Sequence, residues 1–329
     1  MTAIASAFEF GLTENDVGIV STPVFHAAGQ VIWFQPLVLI GATSVFMPRW
    51  DVELFMDLVE RHRATAVFTV PTQLGDLVRH PKFDSARLKS LRKIDFAAAP
   101  MPDALFARLT EAFPDIELRE NYGCTEGGLV TVRRPQFNAA KKGSVGRAVL
   151  GLEIGIVDAK GNKLPPRAIG EVAVRGAASF MHYLDDPAQT AKVKQPDGWV
   201  WTGDIGYVDE DDFLYLVDRS KDMVISGGEN LYPKESEDVL YHHAAVAECA
   251  VFGIPDERFG EVLAAHVVLK SGAAATPDAL IEYAAAKLAR HKRIKLMKIV
   301  EALPKTAVGK IQKNVIRDAY WVGKTRVRL

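Results

Sequence analysis

Cysteine is scarce in this 329-residue chain, which also lacks an excess of charge of either sign and a long uninterrupted apolar run. Cys124 and Cys249 are its two cysteines, so no disulfide framework is expected, and the scarcity favours a reducing compartment and a cytoplasmic location. The formal charge of −1 gives no electrostatic reason to expect nucleic acid or an anionic membrane as a partner. Polar, proline and glycine residues interrupt the most apolar run, residues 31–47, which indicates buried core and no transmembrane segment.

Other signals are missing as well. The N-terminal residues do not combine a basic stretch with an apolar core, so no signal peptide is expected. The strict phosphate-loop pattern GxxxxGK[ST] does not occur, and neither do internal repeats nor low-complexity tracts. What remains is an ordinary soluble composition, with 48% hydrophobic and 25% charged residues, in a chain long enough for two domains.

Apolar strand-like runs alternate with amphipathic helical patterns in the first part of the chain. Strands are predicted at residues 16–21, 64–70, 94–98 and 117–121, and helices begin near Asp51, Thr72 and Pro102. This alternation predicts a parallel, helix-covered sheet. Short β-rich pieces separated by turns follow and predict a small barrel or sheet, and a small α+β unit ends the chain. We therefore divide the chain into 1–134 (α/β), 135–217 (β-rich), 218–222 (hinge) and 223–329 (α+β lid).

The stretch 218–235 organises this division. Charged residues precede a three-residue apolar strand, the turn Ser226-Gly227-Gly228, and a helix start at Pro233. This order is typical of the beginning of a second domain, and an ordinary surface hairpin is the competing interpretation.

The segment Tyr122-Gly123-Cys124-Thr125-Glu126-Gly127-Gly128 follows a predicted strand. An aromatic ring can stack on a base, a threonine can donate to a phosphate, and a glutamate can hold Mg²⁺. The competing interpretation is a glycine-rich turn with Tyr122 packed in the core.

Three further stretches are candidates. His26 lies in a loop after the first strand, where ligands bind in α/β sheets, although a structural role is more common for such a histidine. Asp204 follows a Thr-Gly turn, which predicts a carboxylate presented at a loop, either to sugar hydroxyls or as an Asx turn. The basic segment 292–298 is predicted as a solvated edge strand, and Lys310 follows a glycine-bearing loop.

Taken together, these motifs resemble the adenylate-forming superfamily, which includes acyl-CoA synthetases, firefly-luciferase-like enzymes and peptide-synthetase adenylation domains. Five motifs in family order carry the resemblance across essentially the whole chain: Tyr122-Gly123-Cys124-Thr125-Glu126, Trp201-Thr202-Gly203-Asp204, Asp218-Arg219-Ser220-Lys221-Asp222, Ser226-Gly227-Gly228-Glu229-Asn230 and Pro304-Lys305-Thr306-Ala307-Val308-Gly309-Lys310. The resemblance implies an α/β large domain, present here in part, and a mobile α+β lid.

The resemblance also implies site residues. Tyr122 and Gly123 would lie at adenine, Thr125 would touch the α-phosphate, and Glu126 would hold Mg²⁺. Asp204 and Arg219 would bind the ribose, and His26 would gate an acyl pocket also lined by the turn containing Ala98 and Ala99. Lys221 would be the hinge residue, Gly227 and Gly228 would let the pantetheine arm of coenzyme A pass, and Lys310 would reach the reacting carboxylate.

The implied reaction joins a fatty or related carboxylic acid to coenzyme A through an acyl-AMP formed from ATP. A domain that loads a carrier protein and a noncatalytic nucleotide- or CoA-binding remnant are the alternatives. The family's Ser/Thr/Gly-rich phosphate loop has no match in residues 1–30, so we expect a fragment that lacks the N-terminal part. Ala97 and Ala98 stand where glycines are common in the family. The particular acid and the oligomeric state are not specified by the sequence.

Overall fold

A computed structural model describes residues 1–99, 101–306 and 311–323. The chain divides into two units, the first comprising Met1–Thr202 and Gly206–Leu216, the second Gly203–Ile205 and Val217–Leu329.

The first unit begins with alternating helices and strands. In chain order they are α1 (Thr2–Glu9), β1 (Val17–Val20), a π-helix (Ala28–Phe34), α2 (Gln35–Leu39), β2 (Thr43–Phe46), α3 (Val52–His62), β3 (Ala66–Thr69), α4 (Pro71–Arg79), β4 (Lys93–Phe96), α5 (Asp103–Ala112), β5 (Glu117–Cys124), β6 (Gly128–Arg133) and β7 (Arg147–Ala148).

Within the described residues these strands form a seven-stranded sheet in the order β2-β1-β3-β4-β5-β6-β7. The pairs from β2 through β5 are parallel, and β6 and β7 join antiparallel. The predicted parallel sheet is therefore confirmed, and it is extended by an antiparallel edge. Because the connections cross over on the sheet's faces, the residues that follow β1, β3, β4 and β5 lie at one edge, that of the carboxyl ends.

Helix α3 shows how the local sequence sets an element. Asp51 Oδ1 accepts a hydrogen bond from the backbone N–H of Leu54 at 2.9 Å, which confirms the predicted cap. The helix ends at Arg63, whose φ of 51° is left-handed. Its buried face, which includes Phe55, Met56 and Val59, packs in a core cluster with residues of β3, β4 and β5.

The β-rich segment forms a second sheet. It comprises β8 (Leu152–Val157), β9 (Gly170–Gly176), α6 (Pro187–Val193), β10 (Val200–Val208) and β11 (Leu214–Arg219). Over the part of the chain that the structure describes, the sheet has four strands in the order β11-β10-β9-β8, with β8 and β9 antiparallel. The predicted β-rich segment thus contains a four-stranded sheet, whose buried residues belong to a core cluster that also includes residues of α1 and the π-helix.

The second unit contains the remaining elements: β12 (Val224–Ser226), β13 (Glu229–Leu231), α7 (Pro233–Tyr241), β14 (Val246–Asp256), β15 (Gly260–Leu269), α8 (Pro277–Ala285), β16 (Leu296–Ile299) and α9 (Lys313–Asp318). Its sheet, as far as the described residues show, runs β13-β12-β15-β14, with β16 parallel to β15. Helices α7 and α8 cover one core cluster, and Ile316 of α9 belongs to a second cluster with Phe252 and Leu303.

No helix within residues 1–99, 101–306 and 311–323 is both long enough and apolar enough to cross a membrane.

Candidate active site

Two neighbouring strand ends carry most of the predicted nucleotide site of the first unit. β4 and β5 are parallel, with Phe96 opposite Glu120. Ala97–Ala99 therefore leave β4 at the same edge of the sheet at which Tyr122 and its successors leave the paired part of β5. The fold thus brings together two stretches that lie more than twenty residues apart in the sequence.

The Tyr122 motif forms the hairpin between β5 and β6. Cys124 pairs with Gly128, so Thr125–Gly127 form the turn, and a register shift lies between Tyr122 and Gly123. A Cβ atom on Gly123 would lie 2.3 Å from the backbone oxygen of Gly128, so the close approach of the two strands requires glycine there.

Within that hairpin the side chains face different environments. Tyr122 is 8% exposed and packs in the core cluster with residues such as Leu129, as the competing interpretation of the motif expects. Thr125 at the turn is exposed, and Glu126 is half-buried. The residues that can meet a phosphate or a metal ion are therefore accessible, whereas a large part of the tyrosine side chain is committed to packing.

Glu126 has a partner that the sequence did not indicate. The hydroxyl of Tyr183 donates to Glu126 Oε1 at 2.6 Å, and the backbone N–H of Phe180 donates to the Glu126 carbonyl at 2.7 Å. Burial, followed by the hydrogen bond to the carboxylate, raises the pKa of Tyr183, so its hydroxyl remains a donor at neutral pH. Because Tyr183 lies 57 residues downstream in a loop, no local pattern could have revealed it.

Ala98 has an unusual backbone. Its φ of 74° lies in the left-handed region, although the residue is not glycine. Pro100 lies outside the described residues. Strained backbone of this kind persists where the surrounding structure holds it, and it is often found at functional sites.

His26 lies in the loop after β1, at the start of the π-helix. Its Nδ1 accepts a hydrogen bond from the backbone N–H of Ala28 at 3.2 Å, and its carbonyl accepts from Gln30 at 3.0 Å. These contacts give the residue a local role in starting the helix, and its gating of an acyl pocket stays a prediction.

In the second unit, the side chains of Asp204 and Arg219 lie close together. Arg219 Nε donates to Asp204 Oδ1 at 3.1 Å, with side-chain exposures of 53% and 12% respectively. The predicted position of Asp204 in a loop was wrong, because it lies within strand β10. Gly203 takes a φ of 73° and accepts a hydrogen bond from the Ser220 N–H at 2.8 Å, so the Thr-Gly pair bends the strand without ending it.

The glycine turn of the second unit is a tight hairpin. β12 and β13 pair with Ser226 opposite Glu229, so Gly227 and Gly228 alone form the loop. Their φ angles of 59° and 87° match the two-residue turn that strand twist favours, which explains the glycine pair. Phe259 covers this turn, since its carbonyl accepts from the Gly227 N–H at 2.8 Å. Both the hairpin interpretation and the predicted helix start at Pro233 are therefore correct.

The two predicted lysines and the basic segment lie in the second part of the chain. Lys221 is exposed in the segment between β11 and β12, and its carbonyl accepts a hydrogen bond from Arg317. Lys310 lies outside the described residues, although the residues on either side of that stretch are described. The basic segment 292–298 contributes β16, which pairs with β15, in agreement with the predicted edge strand.

A metal ion would meet a sparse donor set. Across the described part of the chain, no three His, Cys, Asp or Glu side chains cluster in a way that could hold a metal ion. Glu126 alone would supply one carboxylate oxygen, which fits the chemistry of Mg²⁺, since Mg²⁺ keeps several waters and takes further ligands from substrate phosphates.

Comparison with known proteins shows the family to which the chain belongs. A family model described as AMP-binding enzyme matches residues 1–184, and one described as AMP-binding enzyme C-terminal domain matches residues 235–310. The chain belongs to the AMP-binding enzymes, a family of adenylate-forming enzymes, as the motifs predict.

Individual relatives agree. The feruloyl-CoA synthase of an Amycolatopsis species is 36% identical over 314 residues, covering 95% of this chain and 63% of the relative. ATP-bound MatB from Rhodopseudomonas palustris superposes with a TM-score of 0.90 at 30% identity, covering 97% of this chain and 63% of MatB. MenE, the O-succinylbenzoate coenzyme A synthetase of Bacillus subtilis, in complex with ATP and magnesium, has a TM-score of 0.84 at 32% identity, with coverages of 95% and 64%. The chain thus spans about three-fifths of the length of such relatives.

Proposed function

We propose that this chain carries the adenylate site and the lid of an AMP-forming ligase that joins a carboxylic acid to coenzyme A. The observation that carries the proposal is the edge formed by β4 and β5. There a turn containing Ala98 and Ala99 lies beside a hairpin that presents Thr125 and Glu126, in a chain of the AMP-binding family. The name of the feruloyl-CoA synthase supports coenzyme A as the acceptor.

In this proposal the first unit binds the phosphates and the base. Thr125 donates its hydroxyl to the α-phosphate, and the ring of Tyr122, together with Gly123 and the Ala98–Ala99 turn, forms the wall beside adenine. Glu126, with phosphate oxygens as further ligands, would hold Mg²⁺, and the ion would neutralise phosphate charge. Tyr183 fixes the orientation of the Glu126 carboxylate through their 2.6 Å hydrogen bond.

The second unit supplies the ribose contact and a cation. The Asp204 carboxylate accepts from the two ribose hydroxyls, and Arg219 holds that carboxylate in place at 3.1 Å. Lys310 supplies positive charge to the reacting centre. Two anions must meet there, so charge that concentrates in the transition state has to be stabilised by a preorganised cation.

The reaction then has two balanced halves. A carboxylate oxygen of the acid attacks the α-phosphorus of ATP, forming acyl-AMP, and pyrophosphate leaves. The sulfur of coenzyme A attacks the acyl carbon, its thiol proton is lost, and AMP leaves as the thioester forms. Gly227 and Gly228, which carry no side chains, leave room for the pantetheine arm, and Lys221 lies in the hinge about which the lid would turn.

The test is ATP–pyrophosphate exchange by the purified chain, alone and mixed with the part of the Amycolatopsis feruloyl-CoA synthase that has no counterpart in it. Because the chain spans 63% of that relative, we predict that alone it is poorly soluble and nearly inactive, and that exchange appears in the mixture.

Robust exchange by the chain alone would contradict the prediction that it is incomplete. Calorimetric binding of AMP and coenzyme A without exchange in either sample would instead support a noncatalytic binding protein. Product formation with a holo-carrier protein but not with coenzyme A would assign the chain to carrier loading.

A further inference from the structure

The loop between β9 and α6, residues 177–186, reaches back onto the hairpin that carries Glu126. The Tyr183 hydroxyl donates to Glu126 Oε1 at 2.6 Å, and the Phe180 backbone N–H donates to the Glu126 carbonyl at 2.7 Å. The first contact orients the carboxylate, and the second fixes the backbone of the same residue. The position of this loop therefore affects the side chain that is proposed to meet Mg²⁺.

Apolar burial holds this loop only in part. Met181 and Leu184 are 79% and 84% exposed. Phe180 is half-buried and packs against a core cluster of the first unit, and its ring centroid lies 4.9 Å from that of Tyr183. A segment with so few buried apolar contacts opens easily unless polar contacts hold it. Such contacts come from α6 and from the residue that follows it.

Thr190, in α6, fixes the backbone of Tyr183. Its Oγ1 accepts a hydrogen bond from the Tyr183 N–H at 2.9 Å and donates to the Asp186 carbonyl at 2.8 Å. Asp186 is itself fixed, because its side chain caps α6 by accepting from the Gln189 N–H at 2.9 Å. The threonine hydroxyl is thus a donor and an acceptor at once, which an apolar side chain of the same shape cannot be.

Lys194, which directly follows α6, holds the loop near Phe180. Its Nζ donates to the Phe180 carbonyl at 2.5 Å, lies 3.4 Å from the Met181 carbonyl oxygen, and is 5.7 Å from the centre of the Phe180 ring. The Lys194 backbone is anchored, since its N–H donates to the Thr190 carbonyl at 2.8 Å and the residue forms an antiparallel bridge with Val200. A charge-assisted hydrogen bond therefore runs from an anchored residue to the part of the loop that contacts the hairpin.

We propose that Thr190 and Lys194 are positioning residues that hold the loop 177–186 on the hairpin, so that the Tyr183 hydroxyl stays on Glu126. The inference rests on the proposed function for the role of Glu126 towards Mg²⁺. In this arrangement both residues act through Tyr183, and neither is a ligand of the ion. A partner that orients a metal ligand contributes about 10- to 100-fold to metal affinity or activity, so loss of either residue should weaken Mg²⁺ binding without removing the ligand.

Hydrogen–deuterium exchange of the purified chain tests the hold on the loop without requiring turnover. We expect Thr190→Val to speed exchange about tenfold or more at the amides of Tyr183 and Phe180, because the first loses its acceptor and the second leaves the Glu126 carbonyl when the loop opens. Lys194→Met, which keeps most of the length but not the donors, should speed exchange at Phe180 likewise. Thr190→Ser keeps the hydroxyl and should leave both amides within about twofold of the unchanged protein.

Lys192→Met is the matched control, since Lys192 is an exposed lysine of the same helix. It should alter neither amide, and amides of the β8–β9 ladder should keep their rates in every variant. Faster exchange at Tyr183 with Phe180 unchanged would overturn the proposal, as would no change at either amide. A uniform rise across β8, β9 and the loop would reduce both residues to general stabilisation and would also overturn it.

The dependence of ATP–pyrophosphate exchange on Mg²⁺ tests the consequence for Glu126. The assay uses fixed ATP and the mixture with the complementary part of the feruloyl-CoA synthase. Thr190→Val and Lys194→Met should raise the half-maximal Mg²⁺ concentration about tenfold, while the rate at saturating Mg²⁺ stays within a few-fold. Tyr183→Phe should give a similar rise, and combining it with Thr190→Val should add little, because both changes break the same series of contacts.

A lower rate at saturating Mg²⁺, with the half-maximal concentration unchanged, would overturn the role of the two residues towards the metal ion. Absence of pyrophosphate exchange in the mixture with the unchanged chain would instead contradict the proposed function. Hydrogen–deuterium exchange would then still support or overturn the positioning of the loop, since it involves no turnover.

Discussion

At the scale of single residues, Ala98 stands out because its left-handed φ of 74° is one that glycine adopts without cost. The strain of a non-glycine residue there is about 1–2 kcal/mol, and the added freedom of glycine in the unfolded chain offsets about half of it. We therefore expect Ala98→Gly to stabilise the protein by about 1 kcal/mol, measured by urea denaturation.

The adjacent alanine provides the control. Ala99 does not have a positive φ, so Ala99→Gly should destabilise by about 0.5–1 kcal/mol through the unfolded state alone. If Ala98→Gly destabilised by the same amount as Ala99→Gly, the strain at the strand end would be disproved.

The contacts of individual side chains were harder to predict from the sequence than the helices and strands. The family resemblance implied that Asp204 and Arg219 both bind the ribose, which stays a prediction, and the structure places their side chains 3.1 Å apart. The prediction from the sequence misplaced Asp204 in a loop, because a Thr-Gly pair is usually a turn, whereas here the strand continues through a left-handed glycine. Tyr183 and Arg317 were missed, since their partners lie 57 and 96 residues away and local patterning carries no information about such contacts.

At the scale of elements, the strand pair β4–β5 buries an ionisable side chain, which lowers the stability of the fold. Asp95 is fully buried opposite Arg119, whose Nη1 lies 3.9 Å from Asp95 Oδ2. Burial raises the pKa of Asp95 to about 7, against the opposing charge of Arg119.

Because of this raised pKa, the free energy of unfolding should fall as the pH rises. The folded protein binds the Asp95 proton more tightly than the unfolded chain does. The resulting contribution to the free energy of unfolding is fully present below about pH 4 and is lost as the pH rises to about 7. The loss is on the order of 4 kcal/mol. Asp95→Asn should therefore raise the melting temperature at pH 8 by several degrees and flatten its dependence between pH 4 and 7. The melting temperatures are measured by calorimetry, with Asp115→Asn, at an exposed aspartate, as the control that should show neither effect. Equal effects of the two substitutions would refute the raised pKa of Asp95.

Elements were predicted well where their pattern was local. A helix start was predicted near Asp51, and the Asp51 side chain caps α3 by accepting from the Leu54 N–H at 2.9 Å. Strand β6 was missed although Val130-Thr131-Val132-Arg133 alternates apolar and polar residues as a strand does. All six residues of β6 are buried, so its polar side chains face protein and not solvent. The hairpin β12–β13 was left as one of two alternatives, because a glycine pair in sequence does not say which strands it joins.

At the scale of the whole molecule, the order of five motifs predicted the family and the fold class, although each motif alone is weak. The seven-stranded sheet, within the described residues, has the parallel core that strand–helix alternation predicts. Its two antiparallel strands and the π-helix were not predicted, since both depend on packing between segments distant in sequence. The particular acid of the proposed reaction is not predicted by the sequence, because one or two methylene groups change discrimination between acids by only about 1–3 kcal/mol.

The central claim is that Lys310, carried by the second unit, stabilises the charge that develops when a carboxylate meets the α-phosphate. The most direct measurement separates the two half-reactions in the mixture of this chain with the complementary part of the feruloyl-CoA synthase. Lys310→Ala should slow acyl-AMP formation by about 10²–10³-fold, the scale of one lost charge-stabilising donor, while thioester formation from supplied acyl-AMP stays within a few-fold of the unchanged protein. Lys287→Ala, at an exposed lysine, should change neither. Equal loss in both half-reactions, or none in the first, would contradict the account.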